Sequence, residues 1–193
     1  MSTVLTTDRN LVDIANKATN VTEFLGPSIS YSRENFNSVI EYYSVESLPV
    51  DLKKWTYQLL KENMKKFYEN SNLGWSSVKK RKELREAGAR YLIARQIDKS
   101  ESNNLAGRPL GFVMFQFTWE EIMTDDQEVE VIYCYEIQLI KEARRKGLGK
   151  FLINTMEKIG KHWGMKKKNT AASEFYHKHL GYEIDEISPS KIL

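Results

Sequence analysis

The feature that most constrains the fold is a strand–turn–helix unit from Val129 to Trp163. Its first part, VEVIYCYEIQLI, alternates with a period of two, which is the pattern of a β-strand. Its last part, FLINTMEKIGKHW, repeats apolar residues at helical spacing, and Gly164 follows as a typical helix end. A strand that leads directly into an amphipathic helix predicts a domain built from both a sheet and helices.

A basic turn with two glycines joins this strand to this helix. Glycine lets the backbone approach a ligand closely, and the unpaired N–H groups and dipole of a helix N-terminus favour an anion. The turn therefore predicts a diphosphate site, with an ordinary solvated turn as the alternative. Its spacing matches neither GxxxxGK[ST] nor GxGxxG with a later acidic residue, which disfavours a nucleoside triphosphate or a dinucleotide. The predicted anion-binding residues are Arg144, Arg145, Lys146, Gly147, Leu148, Gly149 and Lys150.

The turn also carries a family resemblance. RRKGLG fits the R/Q-x-x-G-x-G/A signature of the GNAT acetyltransferases, and YCYEIQL, FYENSNLGW and EIDEISPS resemble the NatD family of N-terminal acetyltransferases within them. The resemblance extends from Leu52 to Ser190. It implies an α/β (α+β) GNAT fold, in which a mixed central sheet is flanked by helices. It also implies acetyl-CoA as co-substrate, and acetyl transfer to the N-terminal serine of histone H4 and histone 2A.

The same resemblance assigns roles to residues outside the turn. Backbone groups of three strand residues face the pantetheine, one asparagine contacts the cofactor, and one tyrosine stands where many acetyltransferases protonate the CoA thiolate. Two aromatic residues belong to the wall that holds the substrate peptide, and two strand residues contact the same peptide. The three pantetheine-facing residues are Ile137, Gln138 and Leu139, the asparagine is Asn169 and the tyrosine is Tyr176. The wall residues are Tyr68 and Trp75, and the strand residues are Tyr135 and Glu136.

Acetyl transfer to an amine needs a base that removes a proton, and Glu136 is the predicted base. A carboxylate in the middle of a strand is costly to bury without a partner, so it is expected to be functional or close to solvent. Tyr133 and Tyr135 are predicted to position the amine. Strict alternation places both tyrosines on the face opposite Glu136, so their cooperation requires a bulge or a splay. The alternative is that Glu136 only binds the cationic terminus of the substrate.

Covalent catalysis and metal binding find little support in the sequence. Cys134 is the only cysteine, lies in the middle of a strand and has no histidine nearby, so a thioester with the enzyme is not expected. His177 and His179 are two residues apart and would diverge on a helix, which excludes a shared metal face. No metal is therefore predicted.

Composition and charge describe the expected surroundings. The chain of 193 residues, 41% hydrophobic and 28% charged, has neither a long apolar run nor an apolar signal region, and we expect it in the nucleus and cytoplasm. Residues 109–140 contain no Lys or Arg but several acidic residues, which predicts a cationic partner, or simply a solvated hairpin tip. The basic stretch VKKRKELRE lacks interleaved aromatic residues, so nucleic-acid binding is not expected.

The remaining patterns predict the order of elements. Residues 1–34 form an N-terminal helical extension, with Thr7 and Asp8 as caps, and residues 35–193 form the acetyltransferase domain. A long helix begins near Asp51, and its inward stripe includes Asn63. The predicted strands are 38–46, 90–96, 110–119 and 129–139. After Trp163 no room is expected for a fifth strand of the usual length.

Three functions remain open at this point. The resemblance favours an α-amino acetyltransferase that acts, as a monomer, on the tails of histone H4 and histone 2A. The first alternative is a lysine or small-amine acetyltransferase of the same fold. The second is a CoA-binding scaffold without turnover.

Overall fold

The computed structural model describes residues 10–34, 36–97, 106–121 and 128–168. Within them lies one six-stranded sheet whose strand order follows the chain. The first five strands pair antiparallel and the sixth pairs parallel to the fifth, so the sheet is mixed as predicted. The strands are β1 (Ile29–Arg33), β2 (Phe36–Ser44), β3 (Arg90–Ile97), β4 (Ala106–Glu121), β5 (Glu128–Leu139) and β6 (Lys166–Lys168).

Helices cover both faces of the sheet, and each face has its own apolar core. The helices are α1 (Leu11–Lys17), α2 (Val50–Glu69), α3 (Ser77–Glu83) and α4 (Leu148–His162), with short 3-10 turns at Glu23–Leu25 and Lys141–Ala143. Residues of α1 and α4 form one core with Phe115 of the sheet, and residues of α2 form the other with Tyr91 and Phe112. None of the helices in the described part of the chain is long and apolar enough to cross a bilayer.

A β-bulge interrupts the pairing of β4 with β5. Phe115 lies opposite Cys134, whereas the preceding residue Met114 lies opposite Glu136, so Tyr135 is an extra residue on β5. Each residue after the bulge therefore faces the side opposite to the one that strict alternation assigns. The predicted uninterrupted alternation of β5 is wrong for this reason. The β5 side chains that pack in the α4-side core are Ile132 and Cys134 before the bulge, and Ile137 and Leu139 after it.

The segment before residue 35 contributes both a helix and a strand. Its helix begins after Asn10, whose side chain accepts a hydrogen bond from the Asp13 N–H, while the predicted caps Thr7 and Asp8 lie outside the described residues. The strand β1 then pairs with β2 along its whole length. This segment is thus part of the central sheet as well as its covering layer.

The short helix α1 has charged partners at both ends. The Glu130 carboxylate accepts a hydrogen bond from the Leu11 N–H at 2.8 Å, at the N-terminus of α1. At its C-terminus the Arg90 guanidinium, 3% exposed, donates to the carbonyls of Ala15 and Asn16 at 3.0 and 2.9 Å. A carboxylate at the N-terminus and a guanidinium at the C-terminus both complement the helix dipole. These contacts stabilise a helix of seven residues, which is too short to persist alone.

The chain after α4 also contributes to the sheet. β6 pairs with Val131–Tyr133 of β5 over three residues, and only Met165 separates it from the turn at Trp163–Gly164. The expectation that a strand of the usual length would not fit after Trp163 agrees with this, because the described part of β6 is only three residues long.

Replacing Arg90 by methionine should destabilise the protein by about 2–3 kcal/mol, because buried carbonyls at the end of α1 lose their donors. Urea unfolding measures the change. Arg85, exposed on the surface, offers a control, since Arg85→Met should change the free energy of unfolding by less than about 0.5 kcal/mol. Equal small effects of both substitutions would mean that apolar packing alone holds α1.

Candidate active site

The basic turn has the geometry of an anion-binding helix N-terminus. Gly147 is the N-cap of α4 in the left-handed region, with φ of 81°, and no side chain caps the helix there. The first N–H groups of an α-helix have no acceptor within the helix, so those of Leu148, Gly149 and Lys150 are available to a ligand. The diphosphate of acetyl-CoA fits this donor set. Arg145 and Lys146 are exposed beside it and add positive charge.

The β1–β2 hairpin packs directly against this turn. The Tyr31 hydroxyl donates a hydrogen bond to the Lys146 carbonyl at 2.5 Å, and the Lys146 ammonium lies 4.9 Å from the centre of the Phe36 ring. A Cβ atom placed on Gly147 would collide with the Tyr31 hydroxyl. Glycine is therefore required at residue 147 by both the backbone conformation and its neighbour. Sequence reasoning missed Tyr31, because nothing local marks a contact 115 residues distant.

A cavity of about 330 Å³ opens between this hairpin and the turn. Its lining carries four cationic and two acidic side chains, so positive charge predominates on this side of the turn as well. The charged residues are Arg33, Arg108, Arg145, Lys146, Glu34 and Glu142.

The side chain of Arg144 turns away from the cavity and crosses to α2. Its guanidinium donates to the Asn63 side-chain oxygen at 2.6 Å and to the Leu139 carbonyl at 3.3 Å. The Asn63 amide in turn donates to the Gln138 side-chain oxygen at 2.7 Å and to the same Leu139 carbonyl at 3.1 Å. The Gln138 amide donates to Glu136 at 2.7 Å. An unbroken series of hydrogen bonds thus joins the turn to the predicted base.

The bulge at Tyr135 changes which side chains share a face. Glu136 lies opposite Met114, whose side chain belongs to the α2-side core, and Tyr133 lies opposite Gln116, two residues further along β4. Tyr133 and Glu136 therefore both face the α2 side of the sheet, which strict alternation would forbid.

The two strand tyrosines lie close together at the bulge. Their ring centres are 4.5 Å apart with the planes tilted by 52°. Tyr135 is 48% exposed, whereas Tyr133 is half-buried. Together they form an aromatic pair on β5 directly before Glu136 in the chain.

Tyr68 and Trp75, predicted for the substrate wall, contact each other on the same side of the sheet. Their ring centres are 5.7 Å apart in an edge arrangement, and Tyr68 is only 9% exposed. The Lys80 ammonium donates to the Tyr68 hydroxyl at 2.9 Å and to Glu83 at 2.8 Å. Burial raises the pKa of Tyr68, Lys80 partly offsets this, and the negative charge of Glu136 adds to the increase. Lys80 was not anticipated from the sequence.

Burial also keeps the other hydroxyl and thiol groups of the site protonated. It raises the pKa of Tyr133 to about 12, with smaller contributions from Tyr135 and Glu120. It raises the pKa of Cys134 to about 12, and the Glu136 carboxylate adds to this increase. At neutral pH the tyrosine is therefore a hydrogen-bond donor, and the cysteine is a poor nucleophile.

Two predicted site residues, Asn169 and Tyr176, lie outside the described residues. His177 and His179 lie there as well. Among residues 10–34, 36–97, 106–121 and 128–168, no three His, Cys, Asp or Glu side chains come together in a group that could hold a metal ion.

Fold and site together define a class of protein. A mixed sheet, a bulged strand with a carboxylate, and a glycine turn that opens a helix would suit an enzyme that binds an anionic carrier and holds a base on its sheet. The sequence matches the acetyltransferase (GNAT) family over residues 56–182, well over half of the chain. The protein belongs to this family, and acetyl-CoA is its acyl donor, as predicted.

Solved structures of several acetyltransferases are similar to this chain. An aminoglycoside N-acetyltransferase in complex with CoA is 15% identical over 81% of this chain and 94% of its own, with a TM-score of 0.47. A putative acetyltransferase from Pyrococcus furiosus is 20% identical over 77% of this chain and 94% of its own, with a TM-score of 0.46. A ribosomal-protein-alanine N-acetyltransferase from Brucella melitensis is 18% identical over 67% and 76%, with a TM-score of 0.42.

Changing Gly147 to alanine should weaken CoA binding about tenfold or more, because the new side chain strains the backbone and displaces Tyr31 from the turn. Isothermal titration calorimetry measures the affinity. Gly88 is a matched control: its φ is also 81°, and a Cβ there would meet its nearest neighbour at 3.9 Å. Gly88→Ala should cost stability by a similar strain and leave CoA affinity unchanged. An unaltered affinity in Gly147→Ala would remove the turn from the binding site.

Cys134 should resist thiol reagents in the folded protein at pH 8. A pKa raised from 9.0 to about 12 lowers the thiolate fraction about 1,000-fold, and the side chain is buried. A colorimetric disulfide reagent should therefore release less than one tenth of an equivalent of chromophore in buffer, and one full equivalent in 8 M urea. Rapid reaction in buffer would show that the thiol is accessible and reactive.

Proposed function

We propose that this acetyltransferase transfers the acetyl group of acetyl-CoA to the α-amine of the N-terminal serine of histone H4 and histone 2A. The observation that carries the proposal is the β-bulge at Tyr135. It brings Glu136 to the face that also holds Tyr133. The negative charge of Glu136 also raises the pKa of Tyr68 on α2, so these two side chains interact electrostatically. A base and two aromatic side chains thereby lie on the same side of the sheet.

The proposed reaction needs a neutral amine next to the thioester. The substrate amine is an ammonium ion at neutral pH, and Glu136 accepts its proton either directly or through one water. The neutral nitrogen then forms a bond to the acetyl carbon while the bond from that carbon to the CoA sulfur breaks. The nitrogen gives up its second proton, which passes through water to the departing thiolate, so the products are the acetylated amine and CoA with a free thiol. Tyr133 remains protonated and can donate a hydrogen bond to the carbonyl oxygen on which negative charge develops. No covalent attachment to the protein is involved.

Negative charge around the exposed Tyr135 supports a basic peptide as the acceptor. Burial raises the pKa of Tyr135, and the carboxylates of Glu86 and Glu120 raise it further, so both acidic groups act on the exposed tyrosine. A histone tail carries its positive charges beyond the terminal residues, where these carboxylates would attract it. Glu130, in contrast, caps α1 and has a structural role in the same acidic region.

The cellular setting is part of the same proposal. The protein would act as a monomer in the nucleus and cytoplasm, where histones are used and made. Its partners would be CoA and the two histone tails.

A peptide panel tests the acceptor. A peptide that begins Ser-Gly-Arg-Gly should be acetylated, and the same peptide with a blocked α-amine should not, as measured by mass spectrometry. Acetylation that survives the block would place the activity on lysine side chains and overturn the proposal. Transfer only to a small polyamine would also overturn it, and absence of all transfer would indicate a CoA-binding scaffold.

Glu136→Gln should lower kcat about 100-fold or more with little change in CoA affinity, since the amide cannot accept the proton. The acid limb of the pH–rate profile should disappear together with the activity. Glu62→Gln removes an exposed carboxylate from α2 and should leave the rate unchanged. A Glu136→Gln enzyme with full activity would assign the proton transfer to another group.

A further inference from the structure

Asn63 on α2 connects the glycine turn with Glu136, the proposed base, through a series of hydrogen bonds. Asn63 lies between the Arg144 guanidinium, at 2.6 Å, and the Gln138 side chain, at 2.7 Å. Gln138 is itself buried and donates to Glu136 at 2.7 Å. The four side chains come from α2, from β5 and from the turn that follows it, so only the folded protein brings them together.

The direction of every hydrogen bond in this series follows from its two ends. A guanidinium can only donate, so the side-chain oxygen of Asn63 must accept and its amide must point to Gln138. Gln138 must then accept with its oxygen and donate with its amide to Glu136, which as a carboxylate can only accept. Each amide has one arrangement that satisfies both neighbours. Hydrogen bonds aligned in this way polarise one another, which strengthens the donor presented to Glu136.

Asn63 also supports the backbone at the end of β5. Its amide and the guanidinium of Arg144 both donate to the Leu139 carbonyl, at 3.1 and 3.3 Å. That carbonyl ends the strand that carries Glu136 and starts the connection to the glycine turn. The position of the base and the position of the turn are thus held by the same side chain.

We propose that Asn63 is a positioning residue for acetyl transfer: through Gln138 it orients the carboxylate of Glu136, and through Arg144 it ties that carboxylate to the CoA-binding turn. This inference rests on the proposed role of Glu136 as base. A hydrogen bond donated to a carboxylate favours its charged form, so the series also keeps the base ready to accept a proton as the pH falls. Removing these hydrogen bonds should reduce the fraction of enzyme that has a charged Glu136 at the acidic end of the pH–rate profile.

Asn63→Leu tests the inference, because leucine has the same branched arrangement of heavy atoms but neither accepts from Arg144 nor donates to Gln138. We expect kcat to fall about 10- to 100-fold, the usual effect of removing a residue that orients a functional group, while the KM for acetyl-CoA changes less than threefold. The acid limb of kcat/KM should move to higher pH. Gln58→Leu, which likewise removes a side-chain amide but on the exposed side of α2, should change neither kcat nor the pH dependence of kcat/KM.

A double-mutant cycle separates positioning from general damage. In the Glu136→Gln background, Asn63→Leu should have almost no further effect on kcat, because the group that it orients is gone. Asn63→Asp keeps an acceptor for Arg144 but cannot donate to Gln138, and it should reproduce the shifted acid limb. Multiplicative losses in the double variant, or an unshifted pH profile in Asn63→Leu, would overturn the positioning role. If the wild-type protein transfers no acetyl group at all, the proposed function is wrong, whatever the role of Asn63.

Discussion

The arrangement of the site depends on one extra residue in one strand. A strand alternates its side chains strictly, so a base and a hydrogen-bond donor three residues apart face opposite sides of a regular sheet. The bulge at Tyr135 reverses the alternation and brings Tyr133 and Glu136 to the same side. It also leaves Cys134 in the opposite core, where the thiol is buried and its pKa is raised. The apolar residues after the bulge change face together, so the α4-side core is filled by Ile137 and Leu139 without a polar group entering it.

A carboxylate at such a place is costly unless the protein stabilises it. Here the stabilisation comes from a buried amide, Gln138, whose own hydrogen bonds continue through Asn63 to Arg144. Arg144 does not contact Glu136 directly in this series. Its positive charge instead orients the Asn63 and Gln138 amides, and the last amide donates to the carboxylate. Partly satisfied polar groups in a core are unfavourable, and complete satisfaction is what makes this series tolerable there. The same arginine belongs to the turn whose free N–H groups suit a diphosphate, so the two halves of the site share a support.

The N-terminal segment contributes to the site more than its place in the chain suggests. Arg90 and Glu130 attach α1 to the sheet by its two ends, and β1 continues the sheet beyond β2. The hairpin that follows brings Tyr31 onto the glycine turn, where its hydroxyl occupies the space next to Gly147. Residues separated by more than a hundred positions thus form one wall of the turn. The segment is therefore a structural support of the glycine turn.

What the sequence determined by itself was local. The alternation of β5 up to its bulge, the period of α4 and the two glycines between them are properties of neighbouring residues. The strand, the helix and the turn that joins them could therefore be predicted from 129–163 alone. The inward stripe of α2 contains Asn63, and a polar residue among apolar ones indicates a buried hydrogen-bond partner. Tertiary structure alone decided the bulge, the contact of Tyr31 with the turn, and the series from Arg144 to Glu136. Each of these depends on which strand or helix lies opposite, and pairing across the sheet is set by packing of the whole core, which no local pattern records.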